Sequence, residues 1–167
     1  PRAMAVVADG WGRLPVRDGV VDRVLVVFAP RSGAEIARVL RPEGRLVLAT
    51  PEPDHLTEVV GPLSLLRVDP DKQDRIAATL GPHLEPLSAR THRQRLLLDR
   101  AAVTALVGMG PHARHRPREQ VADAVRGLPE PVEITVAVRV AAWRRASPGV
   151  PTARSDDRPG DGLTSDP

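Results

Sequence analysis

The chain has 167 residues and a formal net charge of +3, a length that suits one domain of ordinary size. It contains no cysteine, which excludes disulfides and thiolate zinc sites within these residues. Because it has neither a membrane-length apolar run nor a start typical of an export signal, we expect a cytoplasmic protein with no membrane partner.

The positive charge is carried almost entirely by arginine, with Lys72 as the single lysine. One interpretation is a coding bias toward arginine on a solvated surface, and the other is a face that binds phosphate groups. Two basic clusters, one around residues 90–95 and one at residues 112–118, favour the second interpretation. The candidate RNA-binding residues are Arg90, Arg93, Arg95, Arg114 and Arg116.

The chain opens with residues 3–8, which read as the end of a strand, followed by Asp9, Gly10 and further turn residues. A carboxylate in this position suits a hydrogen bond from a ligand amine, with glycine allowing close approach of the backbone. A plain turn explains the same residues equally well.

A strand-helix-strand unit follows between Val20 and Pro53. The runs at residues 24–28 and 46–49 have no polar interruption, which predicts strands buried on both faces. Ser32 and Glu35 have the spacing of a capping box at a helix start, and a turn containing Gly44 is expected before the second strand. The loops after both strands are therefore expected at one edge of a sheet, where open α/β sheets bind ligands.

Residues 50–58 leave the second strand at that edge and are predicted to enter a short helix capped by Asp54. His55 and Glu58 are three residues apart and are expected on one helical face. A histidine in this position is either an ordinary surface residue or one that handles a proton or contacts phosphate.

The remaining elements alternate between helices and strands. A helix with Pro70 in its first turn is predicted to end at Gly81, a strand covers residues 88–98, and Asp99 is expected to cap the next helix. A last helix begins at Pro117 and a last strand covers residues 132–143, followed by a disordered tail at 145–167. No metal site is predicted, because the histidines at 112 and 115 have no third ligand at suitable spacing.

Several of these motifs resemble known enzymes. Ala8-Asp9, Leu14-Pro15-Val16 and Arg41-Pro42-x-Gly44 resemble the later part of class I methyltransferases, which use S-adenosylmethionine. More specific motifs are Phe28-Ala29-Pro30, Thr50-Pro51-x-Pro53-x-His55-Leu56-x-Glu58 and Met109-x-Pro111. Together they resemble the bacterial 23S ribosomal RNA guanine-N1 methyltransferases, the family that includes the tylosin-resistance type.

The resemblance implies an α/β fold: the C-terminal part of a Rossmann-like sheet, mostly parallel with an antiparallel last strand, over residues 1–144. It implies S-adenosylmethionine as the cofactor of the complete enzyme, with zinc only in an N-terminal cysteine module. Neither that module nor the glycine-rich first loop is present, so we expect a truncated chain in which the strand at 24–28 has an unpaired edge. The implied cofactor-binding residues are Asp9, Gly10, Phe28, Ala29 and Pro30.

The implied reaction is methyl transfer to guanine N1 of 23S ribosomal RNA or a ribosomal precursor. His55 and Glu58 are the candidate acceptors of the N1 proton, and these residues alone are expected to be inactive. Two alternatives stay open, a class I methyltransferase acting on a small molecule and a non-catalytic RNA-binding remnant. The sequence specifies no oligomeric state.

Overall fold

The computed structural model describes Ala3 and the ranges 5–110 and 118–146. Within them the elements are β1 (Val21–Val27), α1 (Gly33–Val39), β2 (Leu40–Pro51), α2 (Thr57–Val60), α3 (Lys72–Leu80), β3 (Leu84–Leu98), α4 (Arg100–Gly108), α5 (Arg118–Arg126) and β4 (Val132–Arg145). The proposed tail and the basic loop with Arg114 and Arg116 lie outside the described residues, apart from the last residues of β4 and Ala146.

The four strands form one sheet in the order β1-β2-β4-β3. β1 pairs with β2 in parallel, and β4 lies antiparallel between β2 and β3. Three strands therefore run in one direction and the last strand runs in the other. This confirms the predicted α/β fold with a mostly parallel sheet and an antiparallel last strand.

Helices cover the sheet on both faces. On one face, α1 and α3 pack on a core built from Val26, Ile36, Leu40, Leu46, Leu48, Ile76, Leu80, Leu84 and Trp143. On the other, α2, α4 and α5 pack on a second core of Val59, Leu63, Val103, Val107, Val121, Val125, Leu128, Val132 and Ile134. The alternation of side chains along β4 explains how one strand supplies Ile134 to one core and Trp143 to the other.

The predicted start of α1 is confirmed, since the Ser32 hydroxyl accepts a hydrogen bond from the Glu35 N–H at 3.4 Å. The Glu35 carboxylate does not complete the capping box; it accepts from the Leu14 N–H at 2.9 Å and pairs with Arg38. Glu35 thereby anchors the segment before β1 to α1. That pairing with Arg38 and the Leu14 hydrogen bond lower the pKa of Glu35 to about 2.

Close packing of α1 on α3 depends on Gly33. A Cβ atom at this position would lie 2.6 Å from the carbonyl oxygen of Thr79, which is closer than real Cβ contacts. The helix pair therefore fits only because residue 33 has no side chain.

β1 shows where one expectation fails. The strand was predicted to be buried on both faces, but Leu25 is 69% exposed and Val27 is 52% exposed. Helices of the described chain cover only the face that carries Val26. Within the described part of the chain, β1 is also an edge strand that pairs only with β2, which agrees with the predicted unpaired edge.

Four local predictions are wrong. No strand forms in the described residues among 3–8. Gly44 lies within β2, at an irregularity of its pairing with β1, rather than in a turn before the strand. α3 begins at Lys72 instead of Pro70, because the Asp69 side chain accepts the Asp71 N–H at 2.9 Å and holds a turn there.

The fourth concerns Asp54, which caps no helix: α2 begins after Leu56, and no side chain caps it. The Asp54 carboxylate pairs with Arg93 instead. The predicted Asp99 cap is confirmed, with its carboxylate accepting the Ala102 N–H at 2.7 Å. None of the described helices combines the length and the hydropathy needed to cross a lipid bilayer.

Candidate functional site at the carboxyl edge of the sheet

Phe28 ends β1 in an unusual conformation. Its φ of 48° lies in the left-handed region, which is rarely adopted by a bulky residue and costs free energy. The Phe28 N–H still donates to the Ala49 carbonyl of β2 at 3.1 Å, so the chain turns immediately after its last ladder hydrogen bond. The turn leaves the aromatic ring 54% exposed, with its centroid 5.7 Å from that of His55.

His55 follows β2 and is half-buried. Its Nδ1 atom accepts a hydrogen bond from the Ala137 N–H at 3.2 Å. A neutral imidazole has one donor and one acceptor nitrogen, so this contact assigns the ring proton to Nε2. Burial lowers the pKa of His55 below its ordinary value, which keeps the ring neutral at pH 7. The ring therefore offers an Nε2–H donor.

Glu58 uses both carboxylate oxygens within the fold. One accepts the Thr135 N–H at 3.0 Å, and the other accepts the Thr135 hydroxyl. Burial raises the pKa of Glu58, but the hydrogen bonds from Thr135 outweigh it and leave that pKa below its ordinary value. The Glu58 carboxylate is ionised, and both its oxygens accept hydrogen bonds from Thr135 of β4.

The hydrogen bonds that His55 and Glu58 accept from β4 continue the pairing of β4 after β2 has ended. β2 leaves β4 at Pro51, and the next segment supplies N–H donors from Glu52 and Leu56 to the β4 carbonyls of residues 137 and 135, at 3.0 and 2.8 Å. The N–H groups of the same two β4 residues go to the side chains of His55 and Glu58. Side chains here replace a strand, since buried backbone donors need acceptors.

The predicted cofactor residues come together in part. A Cβ atom on Gly10 would lie 3.4 Å from both the Cβ and the carbonyl oxygen of Pro30, so the Asp9-Gly10 turn touches the loop that follows Phe28 and Ala29. One Asp9 carboxylate oxygen accepts the Trp11 N–H at 2.9 Å. Asp9 therefore forms a turn, and this turn lies against the segment that is predicted to bind the cofactor.

The arginine cluster on β3 is divided between two faces. Arg93 pairs with Asp54, with Nε 2.7 Å from the carboxylate, and Arg95 pairs with Glu133 at 2.8 Å. Arg90 has no ion pair among the described residues, and strand alternation places it on the opposite face from Arg93. All three side chains are exposed. Ion pairs at this exposure contribute little stability, so the arginines can exchange partners.

Sequence reasoning missed a cavity of about 270 Å³ beside this edge, lined by Trp11, Arg31, Lys72, Arg75 and Thr79. A larger cavity of about 550 Å³ lies between α3 and the sheet face that carries Trp143. The only available signal for the smaller cavity was Lys72 as the sole lysine. No cluster of three potential metal ligands occurs among the residues that the structure describes.

Comparison with solved structures defines the class of fold. The chain is similar to a Bacillus halodurans structure described as a methyltransferase, with a TM-score of 0.54 and 11% identity over 86% of this chain and 78% of that one. This likeness, together with the sheet order, assigns the chain a Rossmann-like methyltransferase fold.

Two sequence relatives carry more specific names. A Micromonospora griseorubida protein named as a 23S rRNA (guanine-N1)-methyltransferase is 51% identical over 144 residues. The 23S rRNA (guanine(748)-N1)-methyltransferase of Streptomyces fradiae is 44% identical over 138 residues. The alignments cover 86% and 83% of this chain, which spans about half, 49%, of each relative. No protein-family model matches. The chain is thus homologous to 23S rRNA guanine-N1 methyltransferases over that half.

Proposed function

We propose that this chain forms the substrate-facing half of an S-adenosylmethionine-dependent enzyme that methylates guanine N1 in 23S ribosomal RNA. The observation that carries the proposal is the pairing of the exposed Phe28 ring with a neutral His55 at the carboxyl edge of β1 and β2. Homology over residues that include this edge supports the substrate class.

In this proposal His55 stabilises charge rather than accepting a proton. In this step guanine N1 gives its proton to solvent water as it takes the methyl group, and the negative charge that develops spreads onto the neighbouring carbonyl oxygen O6. An Nε2–H donor aimed at O6 stabilises that charge in the transition state. His55 cannot take the proton at Nδ1 without giving up its hydrogen bond from Ala137. Glu58 is equally committed to Thr135, so we assign it a positioning role.

Phe28 provides a surface for the base. RNA bases are commonly recognised outside the helical stack, by contact with aromatic faces, and a base must leave its stack for its N1 edge to be reached. The exposed ring beside His55 suits this contact. Arg90, Arg93 and Arg95 are proposed to contact RNA phosphates, and Arg114 and Arg116 remain proposed on their sequence alone.

The cofactor-binding role of Asp9, Gly10 and Phe28 to Pro30 is also proposed. S-adenosylmethionine, when bound, supplies a methyl group activated by its sulfonium. The residues present fit its adenine end, because the second Asp9 carboxylate oxygen has no hydrogen-bond partner among the described residues, and Gly10 in the same turn lies against Pro30. The apolar edge and exposed face of β1 are proposed to be covered by the half that binds the rest of the cofactor, in an enzyme that acts in the cytoplasm.

A chimaera tests the proposal. The half of the Streptomyces fradiae relative that aligns with this chain is replaced by residues 1–167, and methyl transfer from labelled cofactor to 23S ribosomal RNA is measured. We expect transfer to a guanine N1 by the chimaera and none by residues 1–167 alone. A folded chimaera that binds the cofactor but methylates only small molecules would overturn the proposal, as would one that binds RNA without transfer.

A further inference from the structure

The smaller cavity is lined by positive charge. Its walls are Trp11 from the segment before β1, Arg31 from the loop after Phe28, and Lys72, Arg75 and Thr79 from α3. Among the residues that the structure describes, no acidic side chain lines this cavity. Arg75 is paired with Asp69, so the two cations to explain are Arg31 and Lys72.

Arg31 is left with an unsatisfied donor. Its Nε atom is buried and has no hydrogen-bond partner among the described residues. A buried guanidinium donor without an acceptor costs free energy, so such groups are expected to meet a partner in the functioning protein. Burial lowers the pKa of Arg31, in keeping with a guanidinium that no carboxylate neutralises.

Lys72 adds a second uncompensated cation. Among the described residues the Lys72 ammonium has no ion pair. Burial and the charge of Arg31 both lower the pKa of Lys72. An anion bound between two such cations offsets the electrostatic repulsion between them.

We propose that this cavity is a binding site for a phosphate group, held by Arg31 and Lys72. Arginine forks bind phosphate oxygens in pairs, and an ammonium contributes a point charge. The cavity is also close to the candidate site, because the Lys72 charge acts on His55 and Arg31 lies three residues after Phe28 in the sequence.

The source of the phosphate is an RNA backbone, and this part of the inference rests on the proposed function. Trp11 at the cavity wall is 68% exposed, although the chain has only two tryptophans and one phenylalanine. Proteins that bind single-stranded RNA commonly combine an exposed aromatic ring with nearby cations. A base stacks on the ring, and the cations contact the sugar-phosphate backbone. The site therefore takes a phosphodiester beside the flipped guanine.

The first experiment tests the anion site without RNA. Because Lys72 is the only lysine, labelling lysine with ¹⁵N at Nζ gives one side-chain signal, whose titration is followed by NMR. Inorganic phosphate, at constant ionic strength set with sodium chloride, is expected to raise the Lys72 pKa by more than about 0.5 units. In Arg31→Gln this response is expected to disappear. In the control Arg67→Gln, an exposed arginine outside the cavity, it is expected to persist.

The second experiment identifies the source. Binding of a single-stranded RNA oligonucleotide is measured by fluorescence anisotropy at several salt concentrations. Loss of the one phosphate contact in the Arg31→Gln, Lys72→Gln double variant is expected to reduce the slope of log K against log salt by about 0.7. Trp11→Leu is expected to weaken binding at least about fivefold through lost stacking. Arg67→Gln removes one positive charge outside the cavity, and the slope of log K against log salt for this variant is expected to remain that of the unaltered chain.

The outcomes separate the two inferences. If phosphate leaves the Lys72 signal unchanged, or shifts it equally in Arg31→Gln, the cavity is not an anion site. If phosphate shifts the signal but the RNA slope is the same in the double variant, the site binds phosphate from another source and the RNA assignment is wrong. Neither result affects the methyl-transfer test of the chimaera.

Discussion

Removal of the Glu58 carboxylate should destabilise the fold, because it deprives a buried residue of both its acceptors. Thr135 is 8% exposed, and both its N–H and its hydroxyl donate to Glu58. Hydrogen bonds to charged groups contribute about 1.5–3 kcal/mol each, and partial exposure of Glu58 reduces their sum. We expect Glu58→Ala to lower the free energy of unfolding by about 2–4 kcal/mol.

The measurement is urea unfolding followed by far-ultraviolet circular dichroism. Glu58→Gln retains one carbonyl acceptor and is expected to cost less than Glu58→Ala. Glu43 is exposed and provides the matched control, with an expected change in Glu43→Ala within about 0.5 kcal/mol. If Glu58→Ala were as mild as Glu43→Ala, the structural role of Glu58 would be refuted and its assignment as a proton acceptor would regain support.

Three further predictions concern packing, pH and capping. Gly33→Ala should lower the free energy of unfolding by at least about 1–3 kcal/mol in urea unfolding, because its Cβ would lie 2.6 Å from the Thr79 carbonyl oxygen. The lowered pKa of His55 means that the unfolded chain binds its proton first, so stability should fall as pH drops below about 6.5. That slope should be smaller in His55→Gln when unfolding is measured across pH. Asp99→Ala should cost about 1 kcal/mol in thermal or urea unfolding, through loss of the hydrogen bond to the Ala102 N–H.

Each of these has a control in the same chain. Gly61→Ala meets nothing within 4 Å and should leave stability nearly unchanged; equal costs at both glycines would refute the packing argument. An identical pH slope in the unaltered chain and His55→Gln would mean that His55 is not the group involved. Asp99→Asn keeps a capping oxygen, and an equal loss in Asp99→Asn and Asp99→Ala would contradict capping as the cause.

Much of the fold could be predicted from the sequence because local signals agreed with the final packing. The Ser32 hydroxyl and the Asp99 carboxylate cap the helices that their spacing indicated, and β4 covers the strand that was predicted at residues 132–143. The prediction that β1 is buried on both faces was wrong for one face, because a continuous apolar run indicates only which residues favour burial. Such a run does not indicate which other elements are present to cover Leu25 and Val27.

For the candidate site, the sequence predicted only the edge of the sheet at which it lies. The sequence placed His55 and Glu58 near each other, but their helical spacing was not the cause, since His55 precedes α2. Their partners, the Ala137 and Thr135 N–H groups, lie more than seventy residues away in sequence. Arg31 and Lys72 are also too far apart in sequence for a local pattern to relate them, because only the packing of α3 beside the Phe28 loop brings them to one cavity.

The proposed action of His55 on the substrate as a neutral donor is tested most directly by comparing His55→Phe with His55→Gln in the chimaera. We expect that His55→Phe lowers kcat about a hundredfold with the cofactor Kd within about twofold, and that His55→Gln, whose amide N–H can donate, recovers part of that loss. Full activity in His55→Phe, or an equal loss of activity in both variants, would contradict it.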